Sequence, residues 1–155
     1  MSHLATIEGL EYLNTSETTD MGCMFYRCSS LENIDLSSIN TQNVKDNGMI
    51  GMFADCNSLR ILDLSNFDTK NVKSMTAMFG GCHKLQKIYC SELWDKTNVT
   101  ESEMMFEGCW NLVGGKGTAY DENHTDAEYA RIDGGEDSPG YFTSIVDTTE
   151  ISKAK

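Results

Sequence analysis

The stretch LRILDLSNFDTKNVKSMTAMFGGC, Leu59 to Cys82, is one full copy of a unit that recurs along the 155-residue chain. Its Met78-Phe79 pair returns as Met24-Phe25, Met52-Phe53 and Met105-Phe106, at steps of 28, 26 and 27 residues. Three residues after each Phe stands a cysteine: Cys28, Cys56, Cys82, Cys109. Three further on stands a leucine: Leu31, Leu59, Leu85, Leu112. Ile34, Leu62 and Ile88 follow at the same spacing. Met21, Met49 and Met75 precede three of the pairs, Ser102 takes that place in the fourth, and Asn43-Val44, Asn71-Val72 and Asn98-Val99 mark the same phase. Self-similarity of this kind is the signature of a repeat architecture. One unit cannot bury its apolar face alone, so neighbours must stack. The extra residues of the longer steps fall between Val44 and Met49 and near Glu92 to Asp95, polar places where an insertion can bulge outward.

Two periodicities divide each unit. Val72, Met75, Met78-Phe79 and Cys82 lie at i, i+3, i+6/7 and i+10, which predicts a short helix. Asp68, Thr69 and Asn71 stand just before it as candidate caps. Leu59-x-x-Leu62-Asp63-Leu64 then predicts a short strand with alternate residues inward. The expected fold is an α/β repeat solenoid, with right-handed leucine-rich-repeat-like coils of one short strand and one short helix each. The expected organisation is an N-terminal partial repeat over residues 1–23, repeats over 24–112, a C-terminal cap over 113–143 and a flexible tail or linker over 144–155. In the cap, Tyr120, Tyr129, Ile132, Tyr141 and Phe142 are expected to cover the last unit's core.

Composition narrows the function. Lys plus Arg is 12 and Asp plus Glu is 24, a net charge of −12. That opposes nucleic-acid binding, whose affinity comes from basic side chains neutralising phosphates. Apolar residues at 39% and charged residues at 23% fit a globular chain. No apolar run is long enough for a membrane span, so no direct membrane insertion is expected. The first twenty residues hold neither a basic nor an apolar segment of a signal peptide, so none is expected within this stretch.

The run MFADCNSLRILDLSNFDTKNVKSMTAMFGGCHKL, with the terminal ARIDGGEDSPGYFT, resembles the 26-residue repeat of bacterial surface proteins grouped as BspA-like leucine-rich surface proteins. The resemblance covers about Ile7 to Thr143 and departs from the pattern at Ser102 and Tyr89-Cys90. It implies an exported protein, secreted or at a bacterial cell surface, that binds host or neighbouring-cell partners. It carries over no catalytic residue.

Within the units, Met24, Phe25, Cys28, Leu31, Met52, Phe53, Cys56, Leu59, Leu62, Leu64, Met78, Phe79, Cys82, Leu85, Met105, Phe106, Cys109 and Leu112 are the expected core. The cysteines read as a stacked ladder of inert buried thiols, since the C-x-x-C pairs of zinc sites are missing. Cys90 reads the same way, and Cys23 as a small packing residue near the N-terminal cap. His3, His83 and His124 lie at terminal or polar loop places, and no nucleophile, zinc or phosphate-loop motif accompanies them. No enzyme, metal or cofactor is expected. The acidic stretch Asp121 to Asp126, with Asp133 and Glu136-Asp137, lacks the ligand spacing of a calcium loop and reads as solvated cap. The outward strand positions remain: Asn33, Asp35 and Ser37, then Ile61, Asp63 and Ser65, then Lys87, Tyr89 and Ser91. They form a candidate concave binding strip with Tyr89 as anchor, although Asp and Ser in this pattern also build turns. The expected function is a non-enzymatic, monomeric adhesion module for a protein partner. A carbohydrate-binding module and a passive spacer are the alternatives.

Overall fold

The structure, a computed structural model, describes residues 5–146. His3 and residues 147–155 of the expected tail lie outside the described residues. The units stack in the register read from the sequence, but they are not built from a helix and a strand apiece. Regular structure among the described residues is one three-stranded parallel sheet, β1 (Ile61–Asp63), β2 (Lys87–Cys90) and β3 (Phe142–Ser144), with single 3-10 turns at Leu10–Tyr12 and Ala127–Tyr129. Most of the remaining described chain is turn and irregular backbone. The expected α/β solenoid of leucine-rich-repeat type is therefore corrected.

Backbone hydrogen bonding supplies the reason. From Met75 to Cys82 the N–H groups alternate between two networks. Those of Met75, Ala77, Phe79 and Gly81 donate to the carbonyls of Glu101, Glu103, Met105 and Glu107 in the next unit, at 2.8–2.9 Å. Those of Met78, Gly80 and Cys82 close tight turns onto Met75, Ala77 and Phe79. A helix would use every one of these donors on a carbonyl four residues back in its own segment. Instead Ala77 and Gly81 adopt the left-handed conformation, at φ 54° and 78°. The same two phases are left-handed in the other units: Cys23 and Arg27, Gly51 and Asp55, Met104 and Gly108. Turns of this spacing place apolar residues at the intervals a helical face would show, so periodicity does not separate the two.

The side chains inside the stack form columns. Phe25, Phe53, Phe79 and Phe106 lie nearly parallel, with centroids 5.4, 5.9 and 5.4 Å apart. Beside them the Sγ atoms of Cys56, Cys82 and Cys109 each donate at 3.1 Å to the carbonyl of Phe25, Phe53 or Phe79 in the preceding unit. All the expected core residues are buried except Met24, which packs partly buried against the cluster. A further column lies where helix caps were expected. The buried hydroxyls of Thr15, Thr41 and Thr69 each donate to the carbonyl, and accept from the N–H, of Asn40, Asp68 and Asp95 respectively. Each hydroxyl thus does for its neighbour what a strand residue would, at about 1 kcal/mol net per bond.

The sheet ends on a substitution. β1 pairs with β2 with Asp63 opposite Tyr89, and β2 pairs with β3 with Ile88 opposite Phe142. By register the fourth unit's strand would begin at Gly114-Gly115. The chain leaves there through the cap and returns, so that Phe142 fills the inward place of Leu62 and Ile88. Gly114 and Gly115 suit this crossing: a Cβ on Gly114 would overlap the Gly140 carbonyl and Asp133, and one on Gly115 would crowd Thr143. Tyr141 and Phe142 then meet Phe106 edge-on, at 5.0 and 6.0 Å, and cover the end of the stack. Ile132, expected among the covering residues, is 37% exposed. At this end Lys96 replaces the column threonine, and its Nζ donates to the Ala127 and Glu128 carbonyls at 2.6 and 2.8 Å.

Asp133 holds the crossing together. Its buried carboxylate accepts from the N–H groups of Lys116, Thr118 and Gly135 and from the Thr118 hydroxyl, at 2.7–3.0 Å. Burial alone raises its pKa, but the four hydrogen bonds outweigh it and hold the value at about 2. A carboxylate depressed by folding stabilises above its unfolded pKa, near 3.9, and loses that contribution as pH falls through the folded value. Asp133→Asn should lower stability by roughly 2 kcal/mol near neutrality. In urea unfolding, the gap between wild type and variant should close as the pH is taken from about 4 towards 2. A gap that stays constant over that window would contradict this role for Asp133.

Candidate functional site

The nine strip residues do not form the uniform strip expected. Asn33, Asp35 and Ser37 precede the sheet and belong to no strand, so three stacked strands of the repeats are not present. Asp35 accepts from the Ser37 hydroxyl at 2.6 Å and from its N–H at 3.0 Å, which lowers the Asp35 pKa. Asp63 accepts from the Ser65 N–H at 2.9 Å. The Ser91 hydroxyl donates to the Ser65 carbonyl at 2.6 Å and accepts from the Leu93 N–H. Ser37, Ser65 and Ser91 therefore shape the turns that follow the strand positions.

What the strands bring together is smaller. Asp63 lies opposite Tyr89, Tyr89 opposite Thr143, and Ile61 opposite Lys87. Ile61 is 47% exposed and Asp63 is exposed, while Lys87, Tyr89 and Thr143 are half-buried. This face offers one carboxylate, one phenol, one ammonium and one exposed aliphatic side chain on hydrogen-bonded backbone. Cross-strand neighbours of this kind sit about 5 Å apart, so a partner could touch all of them at once. Thr143 was not legible as a member, because its strand comes from the cap.

Asp121, Asp126 and Glu128 of the cap are engaged in its own loops. Asp121 accepts from the Asn123 N–H and Asp126 from the Glu128 N–H. His124 pairs through Nδ1 with Glu128 at 2.8 Å and stacks on Tyr129 at 4.2 Å. Tyr141 donates to the His124 carbonyl at 2.8 Å. Among the described residues no three His, Cys, Asp or Glu side chains gather as a metal-ligand set. No helix among them is long and apolar enough to cross a membrane.

A cleft of about 930 Å³ opens along the turn side of the units, away from the strand residues. It is lined by Ala77, Gly80 and Gly81 of the third unit and by Met104 and Trp110 of the fourth, among others. Trp110 is 64% exposed and stacks on His83, with centroids 4.3 Å apart and planes 8° from parallel. The sequence carries a signal for this pair. Ser29, Asn57, His83 and Trp110 each follow a ladder cysteine, so they share one column whose aromatic character grows towards the cap.

One protein-family model matches the chain, over residues 2–115, and its description reads "Mycoplasma protein of unknown function, DUF285". No curated protein and no solved structure matches.

The thiols separate into two classes. Cys28, Cys56, Cys82, Cys90 and Cys109 are buried and free. Burial raises all five pKa values, to about 12 for Cys56 and Cys109. Cys23, expected to be a packed residue, is exposed, at one of the left-handed turn positions. Alkylation of the native protein near pH 8 should therefore modify Cys23 alone, and unfolding in denaturant should release all six thiols. Mass spectrometry counts the adducts. Rapid native labelling of a ladder cysteine would show that the stack opens locally.

Proposed function

We propose, from the premise that the chain belongs to the DUF285 family of mycoplasma proteins of unknown function, that it is a non-catalytic interaction module for a protein partner. The observation that carries this reading is the sheet face, where Asp63, Tyr89, Ile61 and Lys87 are held side by side on paired parallel strands. Binding there draws on a preset arrangement and costs little ordering of the module itself. Tyr89 is the anchor, since half-buried aromatics with a polar tip concentrate binding energy. Asp63 and the net charge of −12 favour partners with basic surfaces and disfavour nucleic acid. The resemblance of the repeat residues to BspA-like surface proteins supports an exported location, secreted or at the bacterial surface, with host matrix or neighbouring-cell proteins as partners. The module acts as a monomer.

The test is a binding screen against host matrix proteins and a glycan array, with wild type beside a Tyr89→Ala, Asp63→Ala double variant whose fold is checked by circular dichroism. A protein hit should weaken at least tenfold in the folded double variant, since anchor residues commonly carry this much. A hit on glycans alone would replace the reading with a carbohydrate-binding module. Full retention of protein binding by the variant would move the site off the sheet, and no hit of either kind would leave a passive spacer.

A further inference from the structure

The cleft on the turn side holds a second arrangement of side chains, independent of the sheet face. Its depth follows from the repeat. In the two left-handed columns and the one beside them, the third unit carries Ala77, Gly80 and Gly81, between Gly51, Ala54 and Asp55 of the second unit and Met104, Glu107 and Gly108 of the fourth. Most of these positions carry a small residue, which leaves space along the turn side of the stack. Gly81 cannot gain a side chain, because its φ is 78° and a Cβ would overlap the Asp55 carboxylate.

Among the lining residues is a supported aromatic surface. His83 donates from Nδ1 to the Gly108 carbonyl at 2.9 Å, which sets its ring plane, and Trp110 stacks on that ring. An indole so supported remains 64% exposed. Tyr26, itself 42% exposed, also lines the cleft. The ionised side chains that line it are all acidic: Asp55, Glu107 and Glu122. Arg27, outside the lining, pairs with Asp55 at 3.7 Å and lies over the Tyr26 ring at 5.1 Å. With both members largely exposed, the ion pair is weak and open to exchange.

We propose that this cleft binds a basic peptide segment of a protein partner, with a lysine or arginine side chain laid on Trp110 and carboxylates around its charge. Charge complementarity selects this occupant. A cation over an indole face is held by the ring quadrupole, and Trp is the strongest of the aromatic hosts. Three carboxylates without a lining counter-ion supply the matching field and speed the encounter. A neutral sugar could stack on the same ring but would gain nothing from the excess of negative charge.

The probe is an eight-residue oligo-arginine peptide titrated into the full chain by calorimetry, with indole fluorescence followed in parallel. Trp94, the other indole, is half-buried and bonded to the Ala130 carbonyl, so it is expected to report little. Saturable one-to-one binding with a change in indole emission is expected. Trp110→Leu should weaken it about fivefold or more, and a Glu107→Gln, Glu122→Gln pair by a similar factor. Both variants change exposed side chains, and circular dichroism checks that each is folded. A Glu8→Gln, Glu11→Gln pair removes the same charge at exposed positions outside the cleft and should leave the affinity within about twofold. The Tyr89→Ala, Asp63→Ala variant should also bind as wild type, which keeps this site distinct from the sheet face. The proposal is overturned if no saturable binding occurs, if Trp110→Leu binds as tightly as wild type, or if the Glu8 and Glu11 pair loses as much as the Glu107 and Glu122 pair. It is equally overturned if a neutral oligosaccharide saturates the cleft and displaces the peptide.

Discussion

In the first three Met-Phe segments alternate N–H groups point out of their own unit and bond to the next, as the donors of Met21, Cys23, Phe25 and Arg27 do to the carbonyls of Gly48, Ile50, Met52 and Ala54. A buried backbone donor must be paired, so these segments depend on the neighbouring unit in a way that a helix does not. The alternation requires two left-handed residues per unit. Where these are not glycine, as at Arg27, Asp55, Ala77 and Met104, each costs on the order of 1–2 kcal/mol. The inter-unit bonds and the burial of the Phe and Cys columns offset that cost, and only when the units are stacked.

From that constraint follow the two surfaces. Inward positions are fixed by the columns, so Phe, Cys and Leu recur with little freedom. Outward positions carry no such duty and vary from unit to unit, which lets one column run Ser29, Asn57, His83, Trp110 and another change from Asp55 to Gly81. Binding chemistry can then be written on the outside of the stack without disturbing its interior. The sheet face and the acidic cleft are two such places, one on strands and one on turns.

The stacking register was legible because it rests on apolar identity at a fixed phase, and Phe25, Phe53, Phe79 and Phe106 declare it. The turn structure was not. A spacing of three and four residues is common to a helix and to successive turns, and left-handed geometry is advertised only by Gly51, Gly81 and Gly108, while Cys23, Arg27, Ala77 and Met104 hide it. The threonine column was visible as Thr15, Thr41 and Thr69 but resembled helix caps, since a hydroxyl that bonds backbone serves either purpose. β3 was hidden for another reason: Phe142 takes a strand place that the repeat phase assigns to Gly114-Gly115, and no periodicity links residues across the cap. Of the candidate strip, Asp63 and Tyr89 were placed together correctly as cross-strand neighbours. The Asp and Ser of this pattern were legible as turn builders as well as binding residues, and Asp35, Ser37, Asp63, Ser65 and Ser91 all bond in the turns.

The left-handed residues are the most exacting part of this structure, and Ala77 tests them through the sign of one free energy. Ala77→Gly removes a single methyl. At φ 54° the change should relieve strain, and chemical unfolding should show the variant more stable by roughly 0.5–1 kcal/mol. A loss of about 1 kcal/mol, the ordinary cost of glycine inside a helix, would contradict the turn structure and restore the helical one.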